Sequence, residues 1–157
     1  MIAADLQKDL AEENGNLLKE IRSKDAQGNE VAGVKIYYQQ LPTIREDEDD
    51  VSKFFPYCIV RIEDGETEDD DDPWTVKADI LLGSYDEDPD TNGHFRIMGM
   101  IQRIIDRFAA EPLLNGRYRA NQKMRWELQD EDSYPFYFGG VELMFSVPKI
   151  ERRDLYA

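Results

Sequence analysis

The segment from Gln122 to Val147 constrains the fold more than any other. Met124, Trp126 and Leu128 alternate with Lys123, Arg125, Glu127 and Gln129. After a polar break, Val141, Leu143, Phe145 and Val147 alternate with Glu142, Met144 and Ser146. Successive side chains on a strand point to opposite faces, so a period of two in both runs reads as two half-buried strands. Such strands need neighbours in a sheet and a layer of chain over their apolar side. The segment holds no Cys or His, and so no Ser–His–Asp arrangement. It reads as a surface for assembly and not for chemistry.

The rest of the chain supplies the sheet and its cover. Val34, Ile36 and Tyr38 face one way in GVKIYYQQLP, and Pro42 ends that strand because it has no amide to give the ladder. Phe54, Phe55 and Pro56 anchor the next strand, YCIVRIE, with Cys58, Val60 and Ile62 on one face. In PWTVKADILLG, Trp74, Val76, Ala78, Ile80 and Leu82 alternate with Thr75, Lys77, Asp79 and Leu81, the cleanest strand pattern in the chain. Two helices are expected. Leu6 and Leu10 mark one from about Ala3 to Glu13, broken at Asn14-Gly15-Asn16, with a second short turn around Leu17 to Ser23. Ile97, Ile101, Ile104 and Phe108 mark the other, widened by Met98 and Ile105, capped by Thr91 or Asn92 and finished before Pro112. Leu113 to Asn121 reads as a connector with a turn at Gly116.

The order is therefore helix, strand, strand, strand, helix, strand, strand. It implies a single α+β domain over residues 1–157, with a mostly antiparallel five-strand sheet and helices packed on one face. Residues 1–24 form an N-terminal helical segment and residues 149–157 a tail. The opposite sheet face is left half exposed, where contacts between copies would go. Two acidic loops interrupt the framework. Thr43 to Lys53 contains REDEDD, and Asp64 to Pro73 reads DGETEDDDDP. Blocks of like charge repel and bury nothing, so both are expected to be solvated, the second ordering on contact with a partner.

The formal charge of -15 argues against free nucleic acid as a ligand, because phosphate binding needs a Lys/Arg footprint. A channel through which DNA slides without sticking is compatible with it. The single cysteine, Cys58, forbids an internal disulfide, and its apolar neighbours indicate a buried structural thiol. The opening MIAADLQKDL carries charge too early for a signal peptide, and no run reaches the length of a membrane span.

Few constellations suggest chemistry. Asp88, Asp90 and Asn92 fit the opening of a calcium-binding EF-hand loop, but its twelfth position is Gly99 and the preceding segment reads as a strand. An Asp/Asn-rich turn capping a helix explains the same residues. Asp130, Glu131 and Asp132, and Asp69 to Asp72, sit in loops with little apolar cover to perturb them. Cys58 and His94 are the only residues that could form a Cys–His dyad, one in a strand and one at a helix start. Gly139-Gly140 marks a bulge or a close backbone approach. No cofactor motif is present among the phosphate-loop and dinucleotide signatures.

The combination of YYQQLP, FFPYCIVRIEDGE, VKADILLGSYDEDPDTNG, IMGMIQRIIDRF and WELQDEDSYPFYFGGVELMFSVPKI resembles the tail-terminator (tail-completion) proteins of long-tailed phages and prophages, from about Val34 to Ile150. The resemblance implies a non-enzymatic virion protein assembled in the host bacterial cytoplasm. It would form a ring, in that family a hexamer, on the last ring of the major tail-tube protein. It would stop tube polymerisation and offer the surface that meets a head–tail connector, with DNA only as cargo and no membrane contact. Mobile loops that touch the tube would correspond here to Arg45, Asp47 and Asp49 in the first acidic loop and to Glu66, Asp69, Asp70, Asp71 and Asp72 in the second. Two other readings fit the same residues: another connector, neck or tail-tube component, or an acidic protein that mimics DNA.

Overall fold

The computed structural model describes residues 2–25, 27–43, 51–88 and 93–149. Two α-helices and a sheet confirm the α+β class. Helix α1 spans Ile2–Leu17 and α2 spans Gly93–Ala110. Strands β1 (Arg22–Lys24) and β2 (Glu30–Ala32) form a small antiparallel hairpin. Strands β3 (Lys35–Tyr38), β4 (Tyr57–Glu66), β5 (Trp74–Tyr85), β6 (Leu113–Leu114), β7 (Tyr118–Leu128) and β8 (Phe136–Val147) form the main sheet. Its order is β3-β4-β5-β8-β7-β6.

The expected five-strand sheet is therefore six-stranded among the described residues, and the element order is longer than expected. The connector at Leu113 contains β6, which turns at Asn115-Gly116 and pairs Leu114 with Tyr118. Strand β7 begins at Tyr118, ahead of the alternating run, because Tyr118 and Ala120 are buried beside α1 and α2. A register shift between Ala120 and Met124 hides the alternation at that point. The sheet is antiparallel except where β3 runs parallel to β4, with Lys35 opposite Tyr57 and Tyr38 opposite Val60.

Helix α1 runs straight through Asn14-Gly15-Asn16, where a break was expected. The Leu18 amide still donates to the Asn14 carbonyl at 3.0 Å. A helical glycine costs about 1 kcal/mol, whereas burying one leucine gains about 1.5–3 kcal/mol. Leu6, Leu10 and Leu18 are all completely buried, so packing wins over propensity. The expected second short turn lies at Leu18, whose carbonyl accepts from the Ile21 amide at 3.1 Å, and the chain then enters β1. Between β1 and β2, Asp25 Oδ1 accepts from the Asn29 amide at 2.9 Å, which closes the turn of the hairpin.

Both helices lie on one face of the sheet, as expected. Leu6 and Leu10 of α1 and Ile97, Ile101, Ile104 and Phe108 of α2 join Cys58, Val60, Ala78, Ile80, Leu143 and Phe145 in one core. The stripe of α2 widens through Met100, which is buried, and not through Met98, which is exposed. Gly139 lets the helix come this close. A Cβ there would lie 2.5 Å from Ile97 Cγ2 and 3.1 Å from the Glu127 carbonyl oxygen, so the glycine pair marks a close approach.

The opposite face is not simply open. Phe54, Phe55, Tyr57, Ile59 and Tyr85 form a second core at one end of it, with Tyr37, Leu81, Phe136 and Phe138 packed around them. Phe55 is the hub, its ring 4.8 Å from Tyr57, 4.9 Å from Phe136 and 5.8 Å from Phe138. The short 3-10 turn Val51–Phe54 brings these aromatics under the sheet. This explains the aromatic run Tyr134–Phe138 as packing: even-numbered Phe136 and Phe138 enter the second core, while Tyr137 meets His94 on the helix face.

Two substitutions test this packing. Gly139→Ala should lower stability by about 1–3 kcal/mol, because Ile97 and the β7 backbone cannot both retreat. Gly15→Ala should raise it by about 0.5–1 kcal/mol, since its Cβ would meet Ile36 at an ordinary 3.7 Å. Urea unfolding of both variants checks the signs.

Candidate functional site

Strands β4 and β5 carry the second acidic loop away from the core. Their pairing runs from Tyr57 opposite Gly83 to Glu66 opposite Thr75, with a register shift between Ile62 and Asp64. Eight carboxylates lie between Glu63 and Asp72, and Glu66 and Asp69 to Asp72 are exposed. The structure thus brings Glu66, Asp69, Asp70, Asp71 and Asp72 together at one hairpin tip. Arg45, Asp47 and Asp49 lie outside the described residues.

The tip, expected to order on contact with a partner, has an internal hydrogen-bond frame of its own. Asp69 Oδ1 accepts from the amides of Asp71 at 2.9 Å and Asp72 at 3.1 Å. Lys149, just beyond β8, donates to Thr67 Oγ1 at 2.8 Å and to the Asp69 carbonyl at 2.5 Å. The same ammonium lies 5.8 Å from the centre of the Trp74 ring. Trp74 is itself paired with Val147 on β8. The tip is therefore tied to the sheet through one cation, which leaves most of its carboxylates facing outward. A concentrated negative field on a held turn suits a basic partner surface.

A second charged feature lies on the sheet face away from the helices. Lys77 sits between Glu63, at 3.6 Å, and Glu142, at 3.4 Å. Asp79 is directly opposite Arg61 on β4 and Glu142 on β8. Burial pushes the Asp79 carboxyl up to about 6, helped by a hydrogen bond with Glu63 and by the charges of Glu63 and Glu142. Glu63 is shifted downward, first by that hydrogen bond and then by Lys77 and Arg61. Burial works against the charge of Lys77, but Glu142 and Glu63 outweigh it and hold its pKa up. Below about pH 6 Asp79 therefore keeps its proton beside the Glu63 carboxylate, with Lys77 between Glu63 and Glu142. This face was expected to be half exposed, but which polar residues of β4, β5 and β8 meet on it depends on register, which alternation alone does not give.

The other chemical candidates stay apart. Cys58 is completely buried in the helix-side core, and burial pushes its thiol up to about 12, which disfavours the thiolate a nucleophile requires. His94 stacks edge-on against Tyr137 with ring centres 4.8 Å apart. Asp90 and Asn92 of the calcium-like run lie outside the described residues. Asp88 is exposed, and its amide donates to Asp86 Oδ1 at 3.0 Å, the geometry of a capped turn. Among the described residues, no three His, Cys, Asp or Glu side chains are placed to hold a metal ion. No helix among them is long and apolar enough to cross a membrane.

Asp79 gives a pH test. Its folded pKa is raised above the ordinary 3.8, so the folded chain holds this proton more tightly than the unfolded one. That contribution to stability is full below about pH 3.8 and is lost as pH rises through about 6. Asp79→Asn removes the cost of ionisation. It should stabilise the protein by about 1 kcal/mol near pH 8, after allowing for solvent screening, and by close to nothing near pH 4. Thermal unfolding of variant and parent across that range measures the difference.

A scan against protein-family models finds no match for the chain, and no curated protein matches it.

Proposed function

We propose that this protein is a structural component of a phage tail, a terminator that caps the tail tube as a ring, stops its polymerisation and joins the tail to the head. The observation that carries this reading is the acidic tip of the β4–β5 hairpin, held by Lys149 on a sheet whose two cores keep its base rigid. The resemblance of the segments from Val34 to Ile150 to tail terminators supplies the partner class. In this reading the ring is built of six copies by one repeated heterologous contact. The tip meets a basic patch on the tail-tube protein or the head–tail connector, and the acidic surface lets DNA pass as cargo without holding it. The work is geometric, and no residue is assigned a catalytic role. The protein would act in the virion tail after assembly in the host bacterial cytoplasm.

The tip separates this reading from a general acidic surface. Glu66→Gln, Glu68→Gln, Asp71→Asn and Asp72→Asn together remove four charges while keeping Asp69, whose carboxylate frames the turn. Co-sedimentation with assembled tube protein should weaken about tenfold for this variant, and the parent's binding should fall steeply with added salt. Equal binding by variant and parent would remove the tip from the contact. Loss of inhibition of a DNA-binding enzyme, with tube binding absent in both proteins, would favour DNA mimicry instead.

A further inference from the structure

Strand β7 leaves one long edge of the main sheet uncovered. Strand β6 pairs only with its beginning, Leu113 opposite Arg119 and Leu114 opposite Tyr118, and the Ala120 amide donates to the Pro112 carbonyl at 2.8 Å. Beyond Ala120, no strand among the described residues pairs with the outer side of β7. Its inner side is regular from Met124, opposite Leu143, to Leu128, opposite Gly139. Five residues in regular extended form therefore present backbone donors and acceptors to whatever lies beside them. Such an edge is a template for another strand, and proteins usually guard it with like charges, bulges or proline.

Between Met124 and Leu128 this edge has no proline and no register shift, and its charges do not repel a second copy. In Met124-Arg125-Trp126-Glu127-Leu128 the charges are of opposite sign and symmetric about the tryptophan. When two copies of the segment run antiparallel with Trp126 opposite Trp126, Arg125 falls opposite Glu127 and Glu127 opposite Arg125. Met124 falls opposite Leu128, and the reverse. Centring the pair on Arg125 or on Glu127 would instead set like charges face to face. A shift by one residue would send each apolar side chain to the charged face. One register alone satisfies both faces.

The flank of α2 points to the same place. Met124, Trp126 and Leu128 share the helix face of the sheet, opposite Leu143, Val141 and Gly139. Trp126 is 54% exposed and borders a groove with Met98, Gln102 and Ile105 of α2. Phe95, 68% exposed, and Met98, 43% exposed, follow one another along that helix at a spacing of three. Edge-to-edge pairing with the helices on the same side brings this apolar flank against its own copy. Arg125 and Glu127 are both largely exposed, and among the described residues they pair with each other, so they are available to cross.

We propose that the occupant of the β7 edge is a second copy of this chain, paired antiparallel through Met124–Leu128 about a two-fold axis at Trp126. The contact is isologous, the same patch on both partners. It extends the six-stranded sheet of each copy into one continuous sheet. It is independent of the tail reading, whose ring repeats a heterologous contact on a tube.

Charge exchange tests it on the full chain. Sedimentation equilibrium of the parent should show a monomer–dimer equilibrium. Glu127→Arg places arginines opposite one another at two positions. It should weaken dimerisation roughly tenfold, because two attractive cross-strand pairs become two repulsive ones. Arg125→Glu combined with Glu127→Arg restores opposite charges in the same register and should return the affinity to near the parent's. Circular dichroism confirms that each variant is folded. A parent that remains monomeric at every concentration overturns the proposal, as does a dimer that Glu127→Arg leaves unchanged or that the double exchange fails to restore. Capture by tube protein is measured separately, and neither its presence nor its loss bears on this dimer.

Discussion

The antiparallel ladder between β5 and β8 runs without a register shift from Trp74 opposite Val147 to Tyr85 opposite Phe136. Everything else hangs on it. One side of this ladder, through Val76, Ala78, Ile80, Leu143 and Phe145, receives α2, and α1 lies beside it on β3 and β4. At one end of the other side, Tyr85, Phe136 and Phe138 receive the aromatic core around Phe55. The two cores share a backbone but not a face, so the central strands are covered above and, at that end, below. What remains uncovered at the other end is charged: Glu63, Lys77, Asp79 and Glu142 on the open face, then the acidic hairpin tip.

This arrangement separates scaffold from contact. The close approach of α2 at Gly139 and the aromatic packing at Phe55 fix the sheet. The hairpin tip and the β7 edge then project from it at different places, one strongly negative and one balanced in sign. A charged tip of this kind favours encounter with a basic surface, because long-range attraction acts on association rate and fades with salt. A balanced edge favours its own copy, because its specificity comes from register. The two surfaces can therefore serve different partners without competing for the same residues.

Much of this was legible in the sequence, and the misses have physical causes. The strands β4, β5, β7 and β8 and the helix α2 announce themselves by local period, and Gly139-Gly140 by its place at the start of a buried strand. Three features were hidden because they depend on residues far apart in the chain. Leu6, Leu10 and Leu18 carry α1 through Asn14-Gly15-Asn16 by burial against β3 and β4, which no local propensity reveals. Strand β6 is two residues long and exists because β7 lies beside it. The second core joins Phe54 and Phe55 to Tyr85 and Phe136, so the end at which the half-exposed face is covered could not be read locally. At the candidate site, the acidic residues of the tip were evident, whereas Lys149 as its tether and the raised pKa of Asp79 beside Glu63 follow only from tertiary register.

The functional proposal stands or falls on whether this chain ends a tube. Electron microscopy of tail-tube protein polymerising in the presence of increasing amounts of the chain addresses that point. Shorter tubes are expected as the ratio rises, each closed at one end by a ring of added density. Tubes of unchanged length with no density at either end would contradict it.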